Sequence, residues 1–148
     1  MLDLRHIAAL LATGRMTPKE AVKLGEQLLV EGDDRESIVA LASLSPGAYD
    51  RAIDLLRGVL HDLGIELPDA QDGAFWLGLE EVRSIASGAV DPIEGALWIW
   101  REVWSDYRFP EFSGFVALVD DLDEALAPSD RNAVADEIVL RAKQMSGL

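Results

Sequence analysis

Helix start and stop signals recur along the whole chain, and they constrain its fold more than any other feature. Two motifs, Thr17–Glu20 and Asp91–Glu94, each place a side-chain acceptor at the N-cap, proline at the first helical position and glutamate at the third. Ser45 and Pro46 repeat the start of this motif. Glycines stand where a left-handed residue commonly ends a helix, at Gly14, Gly32, Gly64 and Gly88. No segment alternates apolar and polar residues as a strand does for more than a few positions.

These signals and the apolar spacing predict an all-α protein of about eight short helices, packed as a bundle or as stacked helical hairpins. The predicted helices span residues 2–13, 18–31, 35–44, 46–63, 73–87, 92–107, 111–126 and 130–146. The clearest amphipathic helix is 46–63, whose apolar stripe comprises Tyr49, Ala52, Ile53, Leu56, Val59, Leu60 and Leu63. Its polar face carries Asp50, Asp54, Arg57 and His61.

The length of 148 residues fits one domain. Residues 65–72 have no helical period and contain a proline, so they are the best candidate connector between two four-helix halves, 1–64 and 73–148. Each half alone is close to the lower size limit for a stable core. We therefore predict a single all-helical domain over residues 1–148.

Charge restricts the classes of partner. The chain has 13 Lys and Arg against 27 Asp and Glu, which gives a net charge of −14. Such a charge repels phosphate backbones and anionic membrane surfaces and favours basic proteins. Asp3 and Arg5 interrupt the apolar N-terminal pattern, so it does not read as a signal peptide, and no run approaches the roughly 18 apolar residues of a membrane span. We expect a cytoplasmic protein that binds neither nucleic acid nor membranes.

Catalytic and metal-binding patterns are missing from the sequence. There is no cysteine, and two histidines leave little material for a zinc or haem site. His61 shares a polar face with Asp54 and Arg57, and His6 reads as a helix-edge residue. The sequence also contains no nucleophile elbow, phosphate-binding loop or dinucleotide fingerprint. We predict no enzymatic activity, no cofactor and no metal; a carboxylate-dependent enzyme is the remaining alternative.

Nine of the ten aromatic residues lie between Phe75 and Phe115. On a helix that rotates about 100° per residue, one stripe of 92–107 is centred on Leu97 and includes Trp100 and Trp104. A tryptophan stripe at helical spacing usually fills a core, so we expect these two to be buried. We also expect truncation of Trp100 to alanine to be strongly destabilising.

Two other tryptophans lie outside the predicted apolar faces of their helices. Trp98 lies about 100° from Leu97, beside Arg101, and Trp76 is displaced toward Arg83 on helix 73–87. Either a second neighbouring helix or an arginine stem covers these indoles, or they anchor a partner or a second copy of the chain. On the second interpretation, Trp98→Ala would weaken association without changing the melting temperature.

A cluster of acidic residues departs from the usual charge pattern of a helix end. Asp120, Asp121, Asp123 and Glu124 lie near the end of helix 111–126. Carboxylates in a last turn oppose the helix dipole. Residues 120–137 contain seven acids and one base, Arg131. The segment is either a solvated face or a docking patch for a basic protein. Metal binding is disfavoured, because the Glu-x-x-His pair of di-iron bundles and any calcium-loop spacing are missing.

The segments 91–101 and 112–118 resemble a loosely defined group of small, uncharacterised bacterial proteins, often actinobacterial. Ten arginines against three lysines are compatible with that source. The resemblance covers roughly residues 85–140 and implies no activity or binding residue. Acidic helical immunity proteins, which neutralise basic nucleases, are a functional analogy, but residues 105–110 do not reproduce their characteristic tyrosine pair.

The leading prediction is a non-enzymatic protein-binding module that neutralises or regulates a basic partner. Its predicted binding residues are Trp76, Arg83, Trp98, Arg101, Asp120, Asp121, Asp123 and Glu124. The alternative is structural homo-oligomerisation, in which the displaced tryptophans are buried between two copies of the chain.

Overall fold

A computed structural model describes residues 3–122 and 127–147. Over these residues the chain is helical and has no strand, which confirms the all-α prediction. The helices are α1 Leu4–Ala12, α2 Pro18–Val30, α3 Glu36–Ala42, α4 Ala52–Asp62, α5 Ala70–Ser87, α6 Pro92–Ile99, α7 Ser105–Tyr107, α8 Ser113–Leu122 and α9 Pro128–Ser146. A π-helical turn, Trp100–Trp104, joins α6 to α7, and 3-10 turns at Pro46–Arg51 and Pro110–Phe112 precede α4 and α8.

Side-chain capping sets several of the helix starts, including those of α2 and α6. The Thr17 hydroxyl accepts a hydrogen bond from the backbone N–H of Glu20 at 3.2 Å, and the Glu20 carboxylate accepts one from Thr17 N–H at 3.3 Å. Asp91 accepts from the N–H of Glu94 at 3.0 Å. Ser45 makes no side-chain cap bond, and the predicted helix 46–63 begins as a 3-10 turn that becomes α-helical at Ala52.

The predicted helix ends are confirmed as well. Positive φ angles of 71°, 100°, 76° and 79° occur at Gly14, Gly32, Gly64 and Gly88. The segment 65–72 is partly helical rather than wholly a connector, because the Asp69 carboxylate accepts the N–H of Asp72 at 2.7 Å. This cap lets α5 begin at Ala70, three residues before the predicted start.

The chain divides into two compact units, Met1–Gly73 and Ala74–Leu148, and the boundary falls within α5. The single-domain interpretation stays a prediction. In the first unit α2 contacts α3 and α4, and α3 contacts α4. The predicted stripe of 46–63 is buried or packed against the core of this unit, and its polar face is exposed, as expected. Gly25 permits the close approach of α2 to α3, since a Cβ there would lie 2.9 Å from Leu41 Cγ.

In the second unit, α6 contacts α8 and α9, and α8 contacts α9. Its core contains an aromatic group in which Phe109 meets Tyr107, Phe75 and Phe112, with ring centroids 5.6, 5.2 and 6.0 Å away. Edge-to-face and offset contacts at such distances add to the gain from burial. The apolar spacing of helix 111–126 predicts a buried side of Phe112, Phe115, Leu118, Val119, Leu122 and Leu126, and the first five of these are buried. Leu126 lies outside the described residues.

Over the described residues, every helix is too short or too polar to cross a lipid bilayer.

Gly78 and Gly58 form a matched pair for testing this packing. A Cβ on Gly78 would lie 2.5 Å from Cζ of Phe112, whereas a Cβ on Gly58 would meet nothing within 4 Å. We expect Gly78→Ala to lower the free energy of unfolding by about 1–3 kcal/mol through overpacking. Gly58→Ala should raise it by up to about 1 kcal/mol, because alanine is the better helix former. Urea denaturation measures both; equal effects at the two positions would contradict the proposed contact.

Candidate protein-binding surface

The tryptophans at positions 98 and 100 lie in different environments, and only Trp100 departs from its expected one. Trp100 is 44% exposed, so its assignment to the core is wrong. Trp98 is half-buried and packs against the core of the second unit, together with Trp104. Trp98 is therefore covered by neighbouring elements, which was one of the two interpretations of its displacement. Its predicted part in partner binding stays a prediction.

The buried face of α6 explains the error. This face comprises Gly95, Ala96 and Ile99, and it continues at Val103. The predicted stripe was centred on Leu97, which is only half-buried. This helix carries apolar residues on several sides, and both α8 and α9 pack against it. A helical wheel therefore could not select the correct side.

The π-helical turn begins at Trp100, so the rotation of about 100° per residue no longer applies from this position. The N–H of Ser105 donates to the carbonyl of Trp100, five residues back. The Ser105 hydroxyl donates to the carbonyl of Arg101 at 2.7 Å. Ser105 thus supplies, from its side chain, the hydrogen bond that its backbone would give to Arg101 in an α-helix.

The other predicted binding residues on the two tryptophan-bearing helices lie at the surface or near it. Trp76 is half-buried, while Arg83 and Arg101 are exposed. Nε of Arg101 lies 3.3 Å from Oε1 of Glu102, so an ion pair engages this guanidinium. We expect this exposed pair to add little to folding stability.

The predicted acidic residues that the structure describes are solvent-exposed. Asp120 and Asp121 lie in the last turn of α8, and Asp130 and Asp136 lie on α9. Within the described residues, none of these four carboxylates forms an ion pair or a hydrogen bond. Asp123 and Glu124 lie outside the described part of the chain.

Few side chains in the first half of α9 are buried against the rest of the unit. From Pro128 to Glu137 no residue is fully buried, and the buried residues of α9 are Ile138 and Ala142. Glu137 pairs with Arg141 one turn later, at 3.7 Å. The first half of this helix therefore presents its acidic side chains to solvent together with Arg131.

The environment of Glu81 perturbs the pKa of its carboxyl group. Burial raises its pKa above the ordinary value, and the neighbouring charge of Glu80 adds to the effect. Its Oε1 lies 3.3 Å from the place that a Cβ on Gly95 would take, so this carboxylate faces the start of α6. It was not among the predicted site residues, because no sequence pattern marks it.

Two grooves lie apart from the predicted residues. One has a volume of about 470 Å³ and runs along the α5–α6 turn between Asp91 and Lys143. The other, of about 270 Å³, lies between α1 and α2 over Ile7, Leu10 and Leu24. Neither groove is lined by a predicted binding residue. Among the described residues, no group of three or more potential ligands could hold a metal ion.

Comparison with protein-family models, with curated proteins and with solved structures yields no match. The resemblance to small bacterial proteins therefore stays a prediction.

Trp100 and the adjacent Ile99 test the revised assignment. Ile99 is fully buried and Trp100 is 44% exposed. We expect Ile99→Ala to lower the free energy of unfolding by about 2–5 kcal/mol, because it leaves a cavity. Trp100→Ala should cost less than half as much as Ile99→Ala. Chemical denaturation followed by far-UV circular dichroism measures both, and a larger loss at Trp100 would restore the original assignment.

Glu81→Gln should stabilise the protein at pH 7. The raised pKa means that the folded state binds a proton more readily than the unfolded state, so ionised Glu81 destabilises the fold at neutral pH. The advantage of the variant should shrink as the pH falls toward the ordinary value of 4.5, where both states become protonated. Thermal melts from pH 7 to pH 4 measure it, with exposed Glu66→Gln as the control. An advantage that does not change with pH would exclude ionisation as the cause.

Proposed function

We propose that this chain is a non-enzymatic binding module that docks a basic protein through an acidic surface on α8 and α9. We use the name acidic face for these acidic side chains of two helices that contact each other, namely Asp120 and Asp121 on α8 and Asp130, Asp136 and Glu137 on α9. The observation that carries the proposal is that the first four of these carboxylates are exposed and without ion pairs inside the described chain.

Local energetics support the proposal. Asp120 and Asp121 lie at the negative end of the α8 dipole, where each carboxylate costs about 0.3–1 kcal/mol at low salt. No basic residue occurs in the last turn of α8 to offset that cost. A basic partner would supply the missing positive charge. Acidic residues at a helix C-terminus are unfavourable for folding, and at this position they would be favourable for binding a basic partner.

The overall charge favours the same class of partner. A net charge of −14 accelerates encounter with basic proteins and repels acidic ones. Rim charges of this kind act mainly on the association rate and on its salt dependence. We therefore expect the interaction to weaken steeply with ionic strength.

Two charge-matched double variants test the proposal, with hexa-lysine amide as a defined basic probe. Asp120→Asn/Asp121→Asn neutralises the acidic face, whereas Glu26→Gln/Glu31→Gln neutralises exposed carboxylates near the end of α2. Both variants lower the net negative charge by two. At low salt, calorimetry should show an affinity loss of about 2- to 30-fold for the first variant and less than twofold for the second.

Two results would count against this function. Equal losses in the two double variants would mean that the peptide senses only net charge, and the acidic face would then not be a site. Light scattering of the wild-type chain tests the alternative of homo-oligomerisation. A dimer that Trp100→Ala dissociates would assign the exposed indole to a second copy of the chain instead.

A further inference from the structure

The groove beside the α5–α6 turn has an apolar floor. Its volume is about 470 Å³, which is in the range of small-molecule sites. Its apolar lining comes from α5, the turn, α6 and α9, and all of these side chains are buried or half-buried: Ile85, Ala86, Val90, Pro92 and Val139. The groove therefore presents a concave surface that suits the apolar body of a small ligand.

Local packing and turn hydrogen bonds hold the shape of this groove. A Cβ on Gly95 would lie 2.6 Å from Cγ1 of Ile85, so α6 packs closely against the floor. In the turn, the N–H groups of Ala89 and Val90 both donate to the carbonyl of Ser84, at 2.9 and 3.3 Å. The groove is therefore preformed, as small-molecule sites usually are.

Opposite charges border the groove. Lys143 of α9 and Asp91 of the turn both line it. Within the described residues these two side chains form no ion pair with each other, and the Lys143 ammonium makes no other ion pair or hydrogen bond. Oδ2 of Asp91 accepts the N–H of Glu94 at 3.0 Å, whereas Oδ1 has no hydrogen-bond donor in the described part of the chain. One cation and one carboxylate oxygen are thus available to a ligand in the groove.

A zwitterion with an apolar body matches all of these features. Its carboxylate would pair with Lys143 and its ammonium with Asp91, while its body covers the floor. Ala86 and Ser87, which also line the groove, end α5, and the negative end of a helix dipole adds to the preference for an ammonium there. The net charge of −14 repels free anions, but it does not repel a ligand without net charge.

We propose that this groove binds a small apolar zwitterion, namely an aliphatic amino acid or a short peptide of such residues with free ends. Lys143 binds the carboxylate, and Asp91 binds the ammonium. The site is separate from the acidic face, because no residue of that face lines the groove.

Titrations of the wild-type chain with L-leucine and with leucyl-leucine test the proposal. NMR spectra of isotope-labelled protein measure weak affinities, and the backbone amides of Val90 and Val139 should shift. L-Leucinamide lacks the carboxylate and N-acetyl-L-leucine lacks the ammonium, so in about 0.15 M salt each should bind about two- to tenfold more weakly than leucine. Glycine, which lacks the apolar body, should bind about tenfold more weakly. Tighter binding of leucine identifies a free amino acid as the occupant, and tighter binding of leucyl-leucine identifies a peptide.

Two variants assign the charges. Lys143→Met keeps the length of the side chain, and Asp91→Asn keeps the N-cap of α6. Each should weaken leucine about two- to tenfold, but Lys143→Met should leave leucinamide unchanged and Asp91→Asn should leave N-acetyl-leucine unchanged. Lys19→Met on α2 and Asp3→Asn at the N-cap of α1 are the matched controls for net charge and for capping, and both should bind leucine like the wild type. Thermal melts confirm that each variant is folded.

Three results would overturn the proposal. If neither leucine nor leucyl-leucine shifts the amides of Val90 and Val139, the groove is not a site. If Lys143→Met and Asp91→Asn weaken leucine no more than their controls do, the two charges do not recognise it. If both analogues bind the wild-type chain as tightly as leucine does, the ligand is not held as a zwitterion, and this comparison needs no variant to fold. Failure of the acidic face in its own peptide test would leave all three results unaffected.

Discussion

The course of the chain from α6 to α7 depends on how the π-helical turn satisfies its backbone carbonyls. An extra residue in a helical turn displaces N–H donors from their usual acceptors, and a buried carbonyl without a partner is costly. Here the Ser105 N–H bonds the Trp100 carbonyl and the Ser105 hydroxyl bonds the Arg101 carbonyl, so one residue serves both acceptors. The turn can therefore persist while Val103 stays buried and Trp100 stays partly in solvent.

Sequence patterns predicted the helices well where a local interaction fixes each end. Thr17 and Asp91 cap their helices through side chains within three residues, and Gly64 and Gly88 take the left-handed conformation that ends a helix. Ser45 makes no cap bond, and the α-helix starts six residues later than the sequence suggested. Local patterns fixed most boundaries because the interactions that set them span only a few residues.

The site was harder to predict, because side-chain burial depends on neighbours that are distant in sequence. The wheel of helix 92–107 contains apolar residues on several sides, and only the packing of α8 and α9 determines that Ile99 is buried and Leu97 is not. Trp100 directly follows the buried Ile99 and is rotated about 100° from it, so its exposure follows from the same packing and could not be derived. The exposed acidic residues Asp120 and Asp121 were recognisable, since charge at a helix end is a local property.

The aromatic residues differ in burial because burial depends on packing between elements that are distant in sequence. Phe112 is fully buried against Gly78, and its neighbours Phe75 and Phe109 complete an apolar core that needs no functional explanation. Part of the large apolar surface of Trp100 is exposed to water, so this residue contributes less hydrophobic stabilisation than a fully buried tryptophan would. The exposed carboxylates Asp120 and Asp121 and the exposed ring of Trp100 are separate departures from the usual rules, one electrostatic and one hydrophobic, and each requires its own test.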